Sequence, residues 1–572
     1  MNTKRLVLIL LLYALSCRGQ IVCEPWAAVD GLGRTLPGAE ECGPPREGRF
    51  IGIFYFLWLG GHEQQGLYNI TEILKQPPEK QQWGPKGIFH WWDQPRFGYY
   101  LSSDEWVIAK HAQMLSDAGV DVVIFDVTNG YTYEKEYLKL CEVYRGIRAN
   151  GGKTPQISFL FNSKSKEITE KVYQDFYAKN LYPELWFHWK GKPLLMTDPE
   201  GLSQEILDFF TIRRSWAYKD PKGWFGDGKD KWPWIDLTPQ AYGWHENKRT
   251  AEFVPVSTAS HPVNSVGRSH KDGKQPPPEK QNPDIGIYFQ EQWDRALRID
   301  PEFIFITGWN EWVAQRSIVE KDRPFADGAI KAGDTWFIDQ YTREYSRDIE
   351  PMRGGYEDNY YCQMVSNIRK FKGVRELEFP ESGKITVDGN MEDWKDVAPE
   401  YRDDTGDTRP RNHPGYASAG PYTNRWGRND IVSCKAACDG DNVYFYVKTA
   451  EEMQFDRNDP CGMNLLLRVD GASGDSREGF QFRINRQRFM SDSTSLDRFQ
   501  NGEWTRVEKV PYFESGCEIE LAVPRNLLSE KIKPLEIEFK WIDNMPEPLN
   551  VLDFMDHGDA APNSRFRYIF ED

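Results

Sequence analysis

Basic residues are in deficit: 71 Lys and Arg stand against 87 Asp and Glu, a formal charge of −16. A surface of that sign repels phosphate backbones, so nucleic acid is not an expected partner. No stretch approaches 18 consecutive apolar residues, which excludes a transmembrane helix. Cysteine is sparse, nine in 572 residues, and Cys434 and Cys438 have no second Cys or His pair nearby to complete a zinc site. Histidine is equally rare, nine in all, and none lies at metal-ligand spacing. There is no Gly-x-Ser-x-Gly elbow and no phosphate loop. Metalloenzyme, serine hydrolase and nucleotide-binding readings all lose their usual signatures, and no cofactor or metal is expected.

Aromatic residues are abundant: 21 Trp, 27 Tyr and 32 Phe. Flat rings serve either as core or as stacking platforms for sugars and bases. At the start, Lys4 and Arg5 precede the apolar run Leu6–Leu15, the pattern of an export signal ending by about residue 22. The expected location is therefore secreted, periplasmic or at the cell surface. Ala14-Leu15-Ser16-Cys17 loosely matches a lipoprotein box, which makes a lipid anchor on Cys17 the alternative to simple secretion.

Length points to more than one domain. After an N-terminal extension (23–48), residues 49–373 alternate short apolar runs with helical patterns, as βα units do. The candidate strands are 49–57, 120–126, 157–161, 193–197, 209–212, 234–237, 253–256 and 303–307. Eight such runs fit an α/β (β/α)₈ TIM barrel, with a doubly wound sheet as the structural rival. A capping box, Ser102 to Glu105, opens the helix that leads to 120–126. From 377 to 572 the texture becomes short β-like runs punctuated by Asn, Asp and Gly, the pattern of an all-β sandwich.

In a barrel the active site forms at the carboxyl ends of the strands, so residues closing a strand carry the functional argument. Gly308-Trp309-Asn310-Glu311-Trp312 follows the run 303–307 directly. A carboxylate can act as base, nucleophile or acid there, an amide can bind a hydroxyl, and indoles can lie on pyranose faces. The alternative is an Asn–Glu pair capping a helix between core tryptophans. Asp126 closes the apolar run 120–126 and is the favoured second carboxylate, with a salt bridge at the barrel mouth as the structural alternative. Asn129, Asn162 and Asp198 hold similar posts and are equally good turn formers. Glu291 and Asp236 are reserve carboxylates, Glu291 being also a natural first-turn acid. Trp58, His62 and Trp92 fall in loops that can line a cleft, whereas His111 sits on a helix face and is expected to be packed.

In these places the first domain resembles the glycoside hydrolase family 99 and 71 group: Phe54-Tyr55-Phe56-Leu57-Trp58, Gly119–Asp126 and Thr307–Trp312. The resemblance implies a (β/α)₈ glycosidase, with family 99 implying endo-acting hydrolysis of α-mannan-type substrates and Glu311 as one essential carboxylate. The second carboxylate of that family stands three residues further on, where this chain has Ala314. The acid then comes from another strand, or the chain does not run the family's reaction. Residues 385–390, Asp393-Trp394 and 441–447 are similar to family 9 carbohydrate-binding modules and their DOMON relatives. Together these features lead to the expectation of an exported glycoside hydrolase acting on a polysaccharide or glycan. The rival is a non-catalytic glycan-binding protein on a hydrolase-like scaffold.

Overall fold

A computed structural model describes residues 20–572, apart from 63, 220–222, 380–384, 455, 457, 473, 490–491 and 530–533. The export-signal and Cys17 readings lie outside the described residues. No helix among the described residues is long and apolar enough to cross a membrane.

The first domain is built on seven parallel strands: β1 (Phe50–Tyr55), β2 (Val122–Val127), β3 (Gln156–Phe161), β4 (Lys192–Met196), β5 (Thr211–Arg213), β6 (Phe253–Ser257) and β7 (Phe303–Thr307). They run in the order β5-β4-β3-β2-β1-β7-β6, and His188–Trp189 adds a short antiparallel edge to β4. Helices α1 (Glu105–Asp117), α2 (Glu134–Ala149), α3 (Ser165–Val172), α4 (Gln204–Phe209) and α5 (Ile287–Ile299) make the crossovers, and α6 (Asn359–Lys372) closes the domain. Strands β1, β2 and β7 are almost wholly buried, as strands covered on both faces must be.

The sheet is a curled half-barrel and does not close. The expected strand at 234–237 is absent: Ile235 makes a single bridge to Ala217, and Gly243 bridges to Phe253 across the gap between β5 and β6. Aromatic bulk fills the concave side, with Trp232 stacked on Phe253 at 4.6 Å and Phe303 beside both. Gly52 makes room for this filling, since a Cβ there would sit 2.5 Å from the Phe303 ring. Helix α1 is capped by Asp104, whose side chain accepts from Trp106 N at 3.2 Å and Val107 N at 3.4 Å. The expected capping box is therefore displaced, because Ser102 Oγ is occupied by Leu59 N at 3.1 Å.

The second domain corrects the sandwich expectation. Strands β8 (Ile431–Cys438), β9 (Asn442–Thr449), β10 (Asn464–Val469), β11 (Phe482–Phe489), β12 (Ser493–Gln500), β13 (Glu503–Ser515), β14 (Glu518–Pro524), β15 (Glu536–Asp543), β16 (Asp559–Ala561) and β17 (Tyr568–Glu571) form one antiparallel sheet curled into a nearly closed barrel. Strand β13 joins its two halves: residues 503–511 pair with β12 and residues 512–515 with β14. Trp394 is buried under this sheet, its Nε1 donating to Glu520 at 2.9 Å. Asp104 of the first domain pairs with Arg411 at 2.8 Å, and Arg96 reaches Asp553 and Asp556 at 2.9 and 2.8 Å, so the domains are joined by buried charge. Among the described residues, Cys23, Cys42, Cys141, Cys362, Cys434, Cys461 and Cys517 are free thiols.

Candidate functional site

Charged groups converge beyond the carboxyl ends of β1, β2 and β7. Directly after β7 the backbone passes through a cis peptide at Thr307–Gly308 and delivers Glu311 into the interior, 3% exposed. Arg347 grips it with two Nη2 bonds, 2.9 Å to Oε1 and 2.7 Å to Oε2, and an Nε bond of 3.2 Å to Oε2. Gln340 Nε2 adds a third bond on Oε2 at 2.6 Å, while its Oε1 accepts from Arg347 N at 2.8 Å. Burial drives the Glu311 carboxyl well above the usual range, against the pull of Arg347, and Asp339 and Asp348 add to the rise. Arg347 is held above its ordinary value by Glu311 and Asp339. With Oε2 already accepting three bonds and both oxygens held by Arg347, Glu311 is not placed as a free nucleophile. It is an anchor for Arg347.

Arg347 also faces Asp339 at 3.6 Å and lies over the Trp234 ring at 5.5 Å. The Asp339 side chain is 38% exposed, so this carboxylate meets solvent where Glu311 does not. His261 Nε2 stands 3.9 Å from Asp339, and burial pulls its imidazole down to about 4. Tyr218 bonds Ser260 at 3.0 Å and feels both Arg347 and Asp339.

Asp126 closes β2 at 3% exposure. It accepts from Thr128 N at 2.9 Å, a turn of the kind that Asp favours, and the Thr128 side chain bonds it as well. Burial lifts its carboxyl to about 6; Asp339 pushes the same way and Arg347 opposes. Asp126 therefore shares an electrostatic neighbourhood with Asp339 and Arg347. Tyr133 feels the charge of Asp126, and its hydroxyl is 2.9 Å from His62 Nε2. Beside His62 stand Trp58, 7% exposed with no partner for its Nε1, and Tyr131, 59% exposed.

Several expected sugar contacts are enclosed instead. Trp92 and Trp312 stack on each other at 4.6 Å, fully buried, with Nε1 bonds to Asp348 and Glu350. Trp309 is fully buried with its ring edge against His111 and Tyr361, on the helix side. Asn310 spends its amide on the backbone of Phe56, accepting at 2.8 Å and donating at 3.1 Å. Asp198 pairs with Arg214 at 2.9 Å, and Glu291 accepts from Asp272 N at 3.1 Å. Asp236 caps its own turn by accepting from Leu237 N and Ala241 N. Asn162 is half-buried and Asn129 exposed. Ala314 lies in a short strand paired with His90, 1% exposed. His111 is packed as expected, bridging the Tyr55 hydroxyl at 2.9 Å and Glu350 at 3.1 Å.

Sequence reasoning passed over Asp339, Gln340 and Arg347. They lie 28–36 residues beyond Glu311 in an irregular stretch, where the only available signal was the density of charge in Asp339–Glu350.

No protein-family model matches the chain, and no curated protein matches it. Among solved structures, two of the GH99 endo-alpha-mannosidase from Bacteroides thetaiotaomicron are similar to it. The one in complex with BIS-TRIS-propane is 14% identical, covers 56% of this chain and 97% of its own, and has a TM-score of 0.32. The other is 15% identical, covers 57% and 99%, and has a TM-score of 0.31. At likeness this low, function has to be argued from the residues themselves.

Proposed function

We propose that the chain is an exported glycoside hydrolase whose first domain is an incompletely closed (β/α)₈ barrel. Its working acid is Asp126, and its second carboxylate is the solvent-facing Asp339. Asp126, protonated below about pH 6, gives its proton to the departing glycosidic oxygen. Asp339, beside Arg347 at 3.6 Å, either takes a proton from the attacking water or attacks the anomeric carbon itself; the configuration of the released sugar separates these routes. Glu311 acts through Arg347, fixing the guanidinium that faces Asp339 at 3.6 Å, and is a positioning residue. Trp58, His62 and Tyr133 offer apolar and hydroxyl-bearing surface for a sugar ring beside Asp126. The observation that carries this reading is the buried carboxyl of Asp126 closing a strand, with the solvent-facing Asp339 among the charges that raise it.

A polysaccharide and glycan panel with reducing-end detection tests it. The wild type should release ends from at least one member, and Asp339→Asn should abolish that release while leaving binding intact. A second reading, glycan binding without cleavage, is favoured by Ala314 and by the occupied state of Glu311. Retention of a glycan with no ends released by the wild type would establish it instead.

A further inference from the structure

Far from that site, where α1 meets the second domain, six aspartates gather. Asp117 ends α1; Asp403, Asp404 and Asp407 lie in one turn; Asp430 precedes β8; Asp559 opens β16. Asp403, Asp407 and Asp559 each bring one carboxylate oxygen within 4.8 Å of the other two.

Their donors can be counted. Asp559 accepts from Ile431 N at 2.6 Å and Ala560 N at 2.7 Å. Asp407 Oδ2 accepts from Gln113 at 2.7 Å and faces Lys110 at 3.6 Å, while Asp403 Oδ1 has only a 3.3 Å bond from Asn563. Asp430 is taken up by Gly406 N and the Thr408 hydroxyl. That leaves Asp403 Oδ2, Asp407 Oδ1 and Asp117 Oδ2, each enclosed from solvent and without a donor. A buried carboxylate oxygen that no N–H reaches is costly. The nearby cations are too few to offset the cluster: Lys110, Lys153 and Lys540, the last with its Nζ on the Pro562 carbonyl.

We propose that Asp403, Asp407 and Asp559 hold a calcium ion that ties the turn 403–407 to β16 against helix α1. The donor set is all oxygen and anionic, which suits a hard dication and excludes the Cys and His sites of zinc. The donors come from an irregular turn and a strand end, an arrangement that calcium tolerates better than the strict octahedron of magnesium. An ion can arrive through a 710 Å³ cavity between the domains, whose wall includes Asp117, Asp403 and Asp404. Asp553, Asp556 and His557 form a second group of similar compactness, but the Arg96 guanidinium already neutralises it at 2.8–2.9 Å.

The test is calcium titration of the EDTA-stripped full chain by calorimetry, with thermal unfolding in EDTA and in calcium. The wild type should bind one ion tightly and unfold at a higher temperature with calcium. Asp403→Asn and Asp407→Asn should each lose both effects, whereas Asp553→Asn should keep them. In EDTA, Asp403→Asn should unfold no lower than the wild type, because it removes an unpaired buried charge; this separates lost ligation from misfolding. Absence of binding heat and of any shift in the wild type would overturn the proposal. So would a calcium shift that survives in both variants, or an equal shift with magnesium.

Discussion

Replacing Asp126 by Asn should make the protein more stable at neutral pH and no more stable in acid. The folded carboxyl titrates at about 6 against an ordinary value of 3.8, so the native state holds its proton through a range where the unfolded chain has released it. Between those values the native state binds more protons, and stability must fall as pH rises through the window and stay low above it. A gap of roughly 2 units corresponds to about 3 kcal/mol at about 1.4 kcal/mol per unit, an upper figure for one buried group. Asparagine cannot ionise, and its Oδ1 can still accept the Thr128 N–H bond that Asp126 accepts at 2.9 Å. Urea unfolding followed by tryptophan fluorescence should therefore give Asp126→Asn a higher midpoint at pH 8 and a matching one near pH 4. A lower midpoint for the variant at pH 8 would show that the ionised carboxylate is stabilised by its surroundings, and the argument from burial would fail.

Three further outcomes follow from the same geometry. Arg347→Met should cost about 3–5 kcal/mol, because it leaves Glu311 buried without its guanidinium; combined with Glu311→Gln the loss should be smaller than the sum of the single losses in denaturant unfolding. Trp312→Ala should cost about 3–5 kcal/mol through the cavity left beside Trp92, and a glycan affinity lost without any loss of stability would contradict its enclosed position. Asp104→Ala should lower the unfolding midpoint of the whole chain, since it removes both the α1 cap and the partner of Arg411.

The parallel strands were legible because burial on both faces leaves continuous apolar runs: the run at 303–307 is β7 to the residue, and those at 157–161 and 253–256 miss by one. The run at 234–237 failed because Trp234 packs on Phe54 and only Ile235 makes a single bridge, to Ala217. The sandwich failed for a different reason. A single 13-residue strand, β13, pairs with both halves, and turn spacing alone does not reveal a strand that changes partners midway. At the site, the position of Glu311 could be read from its place after an apolar run, but its engagement could not, because Arg347 and Gln340 arrive from a loop without periodicity. The tryptophans illustrate a general limit: Trp92, Trp309 and Trp312 have the composition of a sugar platform and the burial of a core.

The pH dependence of kcat/KM on the best substrate of the panel tests the central claim most directly. Activity should fall about tenfold per pH unit above about 6, as Asp126 loses its proton, and Asp126→Asn should show no turnover at any pH. Wild-type activity that is level from pH 5 to pH 8, or turnover that persists in Asp126→Asn, would contradict the account.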